Sequence, residues 1–240
     1  KRQLFHLSDE FSGTFVTGAT MANFAGMAMG REWVSRRRGQ SAAEDGLHAI
    51  GPIHVLSGEV HSSILKAMSM LGMGRQSFLP VATQADAREA VDIEALRQTL
   101  EQQQGKPCLV VANAGTVNTV DHDDLLAIVA LRDEYDFWLH VDAAFGGFAA
   151  CAKPYRARVS GMELADSITI DAHKWLNTPY DAAMVFTRHR DLQIDVIRNS
   201  AAYLGELSEP VDFVHLSPEN SRRMRALPVA TSPLRQATKT

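Results

Sequence analysis

Short apolar, β-branched runs recur along the chain, and each is followed by a longer stretch whose apolar residues return at helical spacing. This alternation is the signature of a parallel sheet covered by helices. The runs are Phe15 to Thr17, Ile53 to Ser57, Phe78 to Val81, Cys108 to Ala112, Phe137 to Asp142, Ser167 to Ile170 and Ala183 to Thr187. Helical stretches are expected near 20–38, 60–71, 92–104 and 121–135. The third is the best punctuated: Asp92 suits an N-cap, Ile93, Leu96 and Leu100 share one face, and Gly105 suits a left-handed stop. No repeat, low-complexity tract or Pro/Gly/Ser-rich linker divides the chain. The pattern reads as α/β.

Composition mainly excludes. With 240 residues, 45% hydrophobic and 22% charged, the chain is an ordinary globular one of one large or two small domains. Twenty-four basic against 28 acidic side chains leave a charge of −4, which exerts no global pull on nucleic acid or anionic lipid. Arg36-Arg37-Arg38 ends an expected helix just before Gly39, where cations complement the helix dipole. No apolar run approaches the ~20 residues of a membrane span, and no signal-peptide core follows Lys1. Cys108 and Cys151 lie in apolar surroundings typical of reduced structural thiols, which fits a cytoplasmic compartment.

Several weak motifs are set aside. Leu71 to Ser77 holds half of a dinucleotide fingerprint, but its third Gly is missing and a strand follows. Asp121-His122-Asp123-Asp124 has an electrostatic reason to sit at a helix start and no His-Glu-x-x-His or Cys-x-x-Cys partner pattern, so no metal is expected. No Gly-x-Ser-x-Gly elbow marks a hydrolase.

Three segments carry chemistry. His140-Val141-Asp142-Ala143-Ala144-Phe145-Gly146-Gly147 is an apolar strand ending in a carboxylate, which open α/β sheets aim into the crevice at their strands' carboxyl ends. Ser167 to Trp175 is a second such strand, ending in Asp171, His173 and Lys174. Run in parallel, the two would deliver Asp142 and Lys174, 174 − 142 = 32 residues apart, to one edge of the sheet. A lysine imine opposed by an acid that keeps a pyridine nitrogen protonated is the pair that pyridoxal phosphate requires. The third segment, Gly13 to Asn23, runs from a strand through Gly18, Ala19 and Thr20 into a helix, where free N–H groups could hold a phosphate or Thr20 could serve as a plain cap.

With these segments in view, the chain resembles the group II pyridoxal-phosphate-dependent decarboxylases, the family of aromatic-amino-acid, histidine and glutamate decarboxylases. The motifs that carry the resemblance are Thr-Gly-Ala-Thr-Met-Ala-Asn at 17–23, Gly-Glu-Val-His-Ser-Ser at 58–63, Ala-Gly-Thr-Val-Asn-Thr at 114–119, the 140–147 segment, Asp-Ala-His-Lys-Trp-Leu-Asn at 171–177 and Ser-Arg-Arg at 221–223. The resemblance implies a fold type I large domain over 1–228, a mainly parallel seven-stranded sheet with helices on both faces, and an unpatterned tail over 229–240. It also implies that an N-terminal segment and a small C-terminal domain lie outside this chain.

By the same resemblance the cofactor is pyridoxal 5′-phosphate, with Lys174 bonding to its aldehyde and Asp142 facing its ring nitrogen. Ala144 would pack on one ring face and His61 on the other, although a helix-start histidine also accounts for His61. Ala19, Thr20, His173 and Asp171 would meet the phosphate, Asp171 standing where some members have Asn. Thr116 lies in the segment that supplies a hydroxyl to the phenolic oxygen. Tyr203, 203 − 174 = 29 residues beyond the lysine, would be the loop acid that protonates carbon after CO₂ leaves. The implied activity is decarboxylation of an L-amino acid by a homodimer. The alternatives are another fold type I enzyme, an aminotransferase or a carbon–carbon lyase, and an inactive fragment.

Overall fold

The computed structural model of the chain describes residues 2–199 and 211–231. One seven-stranded sheet organises them, with strands β1 (Ser12–Val16), β2 (Val55–Ser57), β3 (Phe78–Pro80), β4 (Cys108–Asn113), β5 (Phe137–Asp142), β6 (Ser167–Asp171) and β7 (Ala183–Thr187) in the order β1-β7-β6-β5-β4-β2-β3. Each expected run overlaps a strand, with ends shifted by at most three residues. The sheet is parallel except at β7, which pairs antiparallel with both β1 and β6. The reason is local: only 172–182 separate β6 from β7, and they hold a single 3-10 turn, with no α-helix to make the crossover that a parallel return needs.

Helices α1 (Ala19–Arg37), α2 (Ala42–Asp45), α3 (Ser62–Met70), α4 (Ile93–Glu101), α5 (Leu125–Ala130), α6 (Arg190–Ile197) and α7 (Ala226–Thr231) connect or follow the strands, with short 3-10 turns among them. Strand alternation divides the core in two. Leu109 and Val111 of β4 face a cluster with Ala22, Met29, Ile64 and Met68 of α1 and α3, whereas Val110 and Ala112 face Leu96, Leu100, Leu125 and Ile128 of α4 and α5. Helices therefore cover both faces, and β4 to β7 are buried along their whole length.

α1 lies unusually close to the sheet because its contact residues are small. A Cβ on Gly26 would meet the His140 ring at 2.4 Å, and one on Gly30 would meet Leu109 and Trp138 at 2.8 Å. The long central helix thus sits directly beneath β5.

Boundaries differ from expectation where capping decides them. α4 starts after Asp92, whose Oδ1 accepts from Ala95 N at 2.8 Å, but it ends at Glu101; Gln104 and Gly105 follow with positive φ. α5 is shorter than expected because only Asp124 caps it, accepting from Ala127 N at 3.0 Å. Asp121 instead clasps Arg88 at 2.6 and 2.7 Å, and Asp123 accepts from Val91 N and Asn113 N, so these acids bind the 88–91 loop to β4. α7 runs through Pro228 to Thr231, past the expected boundary at 228. Proline in a first turn forfeits no intrahelical bond, since those N–H groups have no partner there. The Ser-Arg-Arg segment is a tie: Arg222 donates to Thr14 Oγ1 and Phe15 O, and Arg223 to Asp181 and Tyr180 O.

Among the described residues no helix is long and apolar enough to cross a membrane, and no cluster of side chains could hold a metal ion. Burial pushes the Cys108 thiol up to about 12 and Cys151 up to about 11, so both stay protonated and poorly nucleophilic at neutral pH.

Candidate active site

The carboxyl ends of β1, β2, β4, β5 and β6 lie along one edge of the sheet, and a cleft opens there. The sequence-expected residues Ala19, His61, Thr116, Asp142, Ala144 and Lys174 line it together. Asn113 and Phe145 join them. The register explains the convergence: Asn113 of β4 pairs with Asp142 of β5, and Asp142 with Thr169 of β6, two residues before that strand ends.

Asp142 is buried and its two oxygens are engaged. Oδ1 accepts from Ala144 N at 3.1 Å and Oδ2 from Asn23 Nδ2 at 2.7 Å. Asn23, buried in α1, also donates to Ser63 Oγ at 2.9 Å and meets His140 Nε2 through Oδ1 at 3.0 Å. His140 Nδ1 lies 2.7 Å from Ser167 Oγ, which accepts from Trp138 Nε1 at 3.0 Å. Desolvation drives the His140 pKa down to about 4, against the opposing pull of Asp142, so the ring is neutral at pH 7. His61 is the N-cap of α3: its Nδ1 accepts from Ser63 N at 3.2 Å and lies 2.7 Å from Ser63 Oγ. The helix-start role and the cleft position therefore coincide in one residue.

Lys174 ends the 3-10 turn Ala172–Lys174 that follows β6. Trp175 fixes this turn against the loop after β5, donating from Nε1 to Phe145 O with the two rings 5.6 Å apart. Lys174 itself makes no hydrogen bond or ion pair among the described residues. Its amine is held at the cleft by backbone alone, free for a reactant.

The other end of the cleft is less settled. Asp171 Oδ2 accepts from Ala19 N at 3.2 Å, so a carboxylate occupies the first N–H of α1, the group that the resemblance gives to a phosphate. Such a remote cap suits the helix dipole, since Gly18 offers no side chain of its own. His173 Nδ1 lies 2.7 Å from Asp171 Oδ1, yet both atoms are buried without hydrogen-bond geometry. Thr20 is exposed in the first turn of α1 and is not part of the cleft lining. A side chain at Gly18 would meet nothing within 4 Å.

Thr116 reaches the cleft, but its hydroxyl donates to Glu89 Oε2 and accepts from Asp121 N at 2.9 Å. Its one proton is therefore committed to Glu89, whose carboxyl the Thr116 and Thr119 hydroxyls hold below its ordinary range. The turn is fixed by glycine: Gly115 has φ +92°, and a Cβ on it would meet Gly146 N at 2.8 Å. Tyr203 lies outside the described residues.

Sequence reasoning quoted Asn23 within a motif but gave it no role, and missed Asn113 and Glu89. A detectable signal existed for Asn23: it is the lone amide in a run of small and apolar residues from Ala22 to Gly30. Glu89 is invisible beforehand because it arrives from a loop remote in sequence.

An open, mainly parallel sheet that brings an acid and a lysine to one edge defines a class: the fold type I pyridoxal-phosphate enzymes. Within that class the chain belongs to the pyridoxal-dependent decarboxylase family, whose conserved-domain model matches residues 2–230. It is 28% identical over 235 residues to an aromatic-L-amino-acid decarboxylase of Bacillus atrophaeus, covering 95% of this chain and 46% of that protein. It is 30% identical over 234 residues to an L-2,4-diaminobutyrate decarboxylase of Rhizobium meliloti, covering 95% and 44%. The crystal structure of mouse CSAD in apo form superposes with a TM-score of 0.86 at 25% identity, covering 99% of this chain and 49% of that one. The chain spans about half the length of these relatives.

The residues present fit the family's cofactor, pyridoxal 5′-phosphate. An oriented carboxylate and an uncommitted amine line one cleft, and two buried polar atoms lacking hydrogen-bond geometry, on Asp171 and His173, precede that amine in the chain.

Proposed function

We propose that the protein of which this chain forms the large domain decarboxylates an L-amino acid to the amine and CO₂. The observation that carries this reading is the placement of Asp142 and Lys174 in one cleft at the sheet's carboxyl edge. Bound there, pyridoxal phosphate supplies the sink for the electron pair that CO₂ leaves behind. Lys174 would hold the cofactor through its amine. The Asp142 carboxylate holds a proton at the ring nitrogen, its own position fixed by Asn23 and Ala144 N. Ala144 and His61, which line the cleft, would hold the ring, and Ala19, Asp171 and His173 would hold the phosphate, with Thr20 exposed beside them in the first turn of α1. Tyr203, which follows α6 in sequence, would be the acid that returns the proton to carbon.

The reading extends to a cytoplasmic homodimer with no nucleic-acid or membrane partner. In support, Val117, Trp175 and Tyr180 are exposed apolar side chains beside or near the cleft, where a second copy would cover them.

The test is product analysis. The full-length protein carrying this chain is incubated with pyridoxal phosphate and single L-amino acids, and amine and CO₂ are quantified. Equimolar amine and CO₂ from at least one substrate is the expected result. Keto-acid formation without CO₂, or a cleaved side chain, would assign the site to an aminotransferase or a carbon–carbon lyase instead. In that assay Tyr203→Phe abolishes most amine formation while cofactor binding persists. Unchanged amine output would give the proton-donor role to another group.

A further inference from the structure

The buried contacts around Asp142 form a hydrogen-bond chain whose direction can be read from donor and acceptor chemistry. A carboxylate accepts only, so the group that Asn23 turns toward Asp142 is its NH₂, and its carbonyl oxygen faces His140. That oxygen needs a donor, which makes Nε2 the protonated nitrogen of the neutral His140 ring. His140 Nδ1 is then an acceptor for the Ser167 hydroxyl, and Ser167 Oγ accepts the indole N–H of Trp138. The second hydrogen of the same Asn23 NH₂ goes to Ser63 Oγ. Ser63 N already points at His61 Nδ1, so Ser63 Oγ donates there too.

Every link is determined by the one before it, and both ends are fixed: an indole that can only donate and a carboxylate that can only accept. The surroundings leave the amide little room to turn. Asn23 and His140 are 0% exposed, and the His140 ring rests against Gly26 where even a methyl group would collide.

We infer that Asn23 is a positioning residue for the chemistry of this cleft: its amide, locked by His140, orients the Asp142 carboxylate toward the pyridine nitrogen, and it shares that amide with the Ser63–His61 side of the site. The inference rests on the pyridoxal reading of the cleft and adds to it a residue whose effect depends on the ring nitrogen. Asn23 touches the acid, and, fully buried, it does not line the cleft. Its loss also releases Ser63 and His140, so the part that acts through Asp142 is the part that depends on the ring nitrogen, a dependence that a residue merely supporting the fold would not show.

Two measurements on the full chain decide this. In the first, a double-mutant cycle in urea compares Asn23→Leu alone and in an Asp142→Ala background, with no cofactor present. The folding equilibrium is expected to respond at least about fivefold less to Asn23→Leu once Asp142 is gone. In the second, the chain binds pyridoxal phosphate or the deaza analogue in which carbon replaces the ring nitrogen. The unsubstituted chain prefers the nitrogen compound, and Asn23→Leu is expected to cut that preference at least about tenfold, the scale of a hydrogen bond to a charged group, while affinity for the carbon analogue changes little. Asn23→Asp, isosteric but without the donor toward Asp142, carries both readouts if the leucine variant does not fold. An additive cycle overturns the inference, as does equal loss of affinity for both compounds. Failure of the unsubstituted chain to bind either compound removes the pyridoxal reading, and the cycle still decides whether Asn23 holds Asp142.

Discussion

The two ends of the cleft are built on different principles. At the Asp142 end every polar atom named above has a partner inside the protein: both carboxylate oxygens, the Asn23 amide, both His140 nitrogens and the Ser167 hydroxyl. At the Asp171 end a carboxylate takes a helix N–H, and Asp171 Oδ1 and His173 Nδ1 lie buried and close together without hydrogen-bond geometry. The first end is preorganised by α1, α3 and β6, which pack against β5. The second is formed where the end of β6 meets the start of α1, and it leaves two buried polar atoms without hydrogen-bond geometry. Preorganisation matters more where charge develops during reaction than where a spectator group is gripped, and the two ends divide along that line.

The sharpest way to break this contrast is to remove the acid at the finished end. Asp142→Ala is expected to lower turnover by at least about a hundredfold, and it strands the Asn23 amide and Ala144 N–H at about 1–3 kcal/mol per unsatisfied group. Urea unfolding and amine assays check the two parts separately; retention of most activity would make Asp142 purely structural.

Next comes a pH dependence that the Asp142 end alone should show. His140 is depressed from 6.5 to about 4, so between those values the folded state binds fewer protons than the unfolded state. Its contribution is fully present above pH 6.5 and is lost as pH falls toward 4, by about 3 kcal/mol in all. Asp123 works oppositely: burial raises it from 3.8 to about 6, so its contribution is present below 3.8 and lost as pH rises through 6. Denaturation curves from pH 4 to 7 for the unsubstituted chain and for His140→Gln separate the two. The histidine variant should have the less positive slope of stability against pH, and identical slopes would mean that His140 titrates normally.

At the other end a smaller change of opposite sign is expected. Asp171→Asn removes a negative charge beside the proposed phosphate position, and pyridoxal phosphate binding should tighten by ~5-fold, a fraction of the ~1–4 kcal/mol that close like charges cost. Equilibrium dialysis measures it, and weaker binding would show that the Asp171–His173 pair grips the phosphate as it stands. The smallest effect belongs to Thr116→Val. Because that hydroxyl proton is already given to Glu89, cofactor affinity should change by less than about threefold, the scale of a weak neutral hydrogen bond. A larger loss would show that the hydroxyl turns from Glu89 to the cofactor on binding.

The same contrast separates what was legible in the sequence from what was not. The sheet was readable because each strand is a short apolar run, and the carboxyl-edge rule then placed Asp142 and Lys174 together before any coordinates. The hydrogen bonds were not readable. Asp171 and Ala19 are 152 residues apart and meet only because β1 and β6 flank β7, an order that periodicity does not encode. The commitment of the Thr116 proton to Glu89 was not readable, because Glu89 comes from a separate loop. The acids at 121–123 looked like helix-start charges, since nothing local reveals Arg88 or the Val91 N–H as their destinations. Chain-local physics sets elements and edges; the assignment of each donor waits on topology.

The central claim is that Lys174 is the amine that captures the cofactor. Borohydride reduction in the presence of pyridoxal phosphate, followed by peptide mapping, tests it directly. The account predicts a single pyridoxyl label on the peptide containing His173-Lys174-Trp175 and its disappearance in Lys174→Ala. A label on Lys66, Lys106 or Lys153 that persists in Lys174→Ala would contradict it.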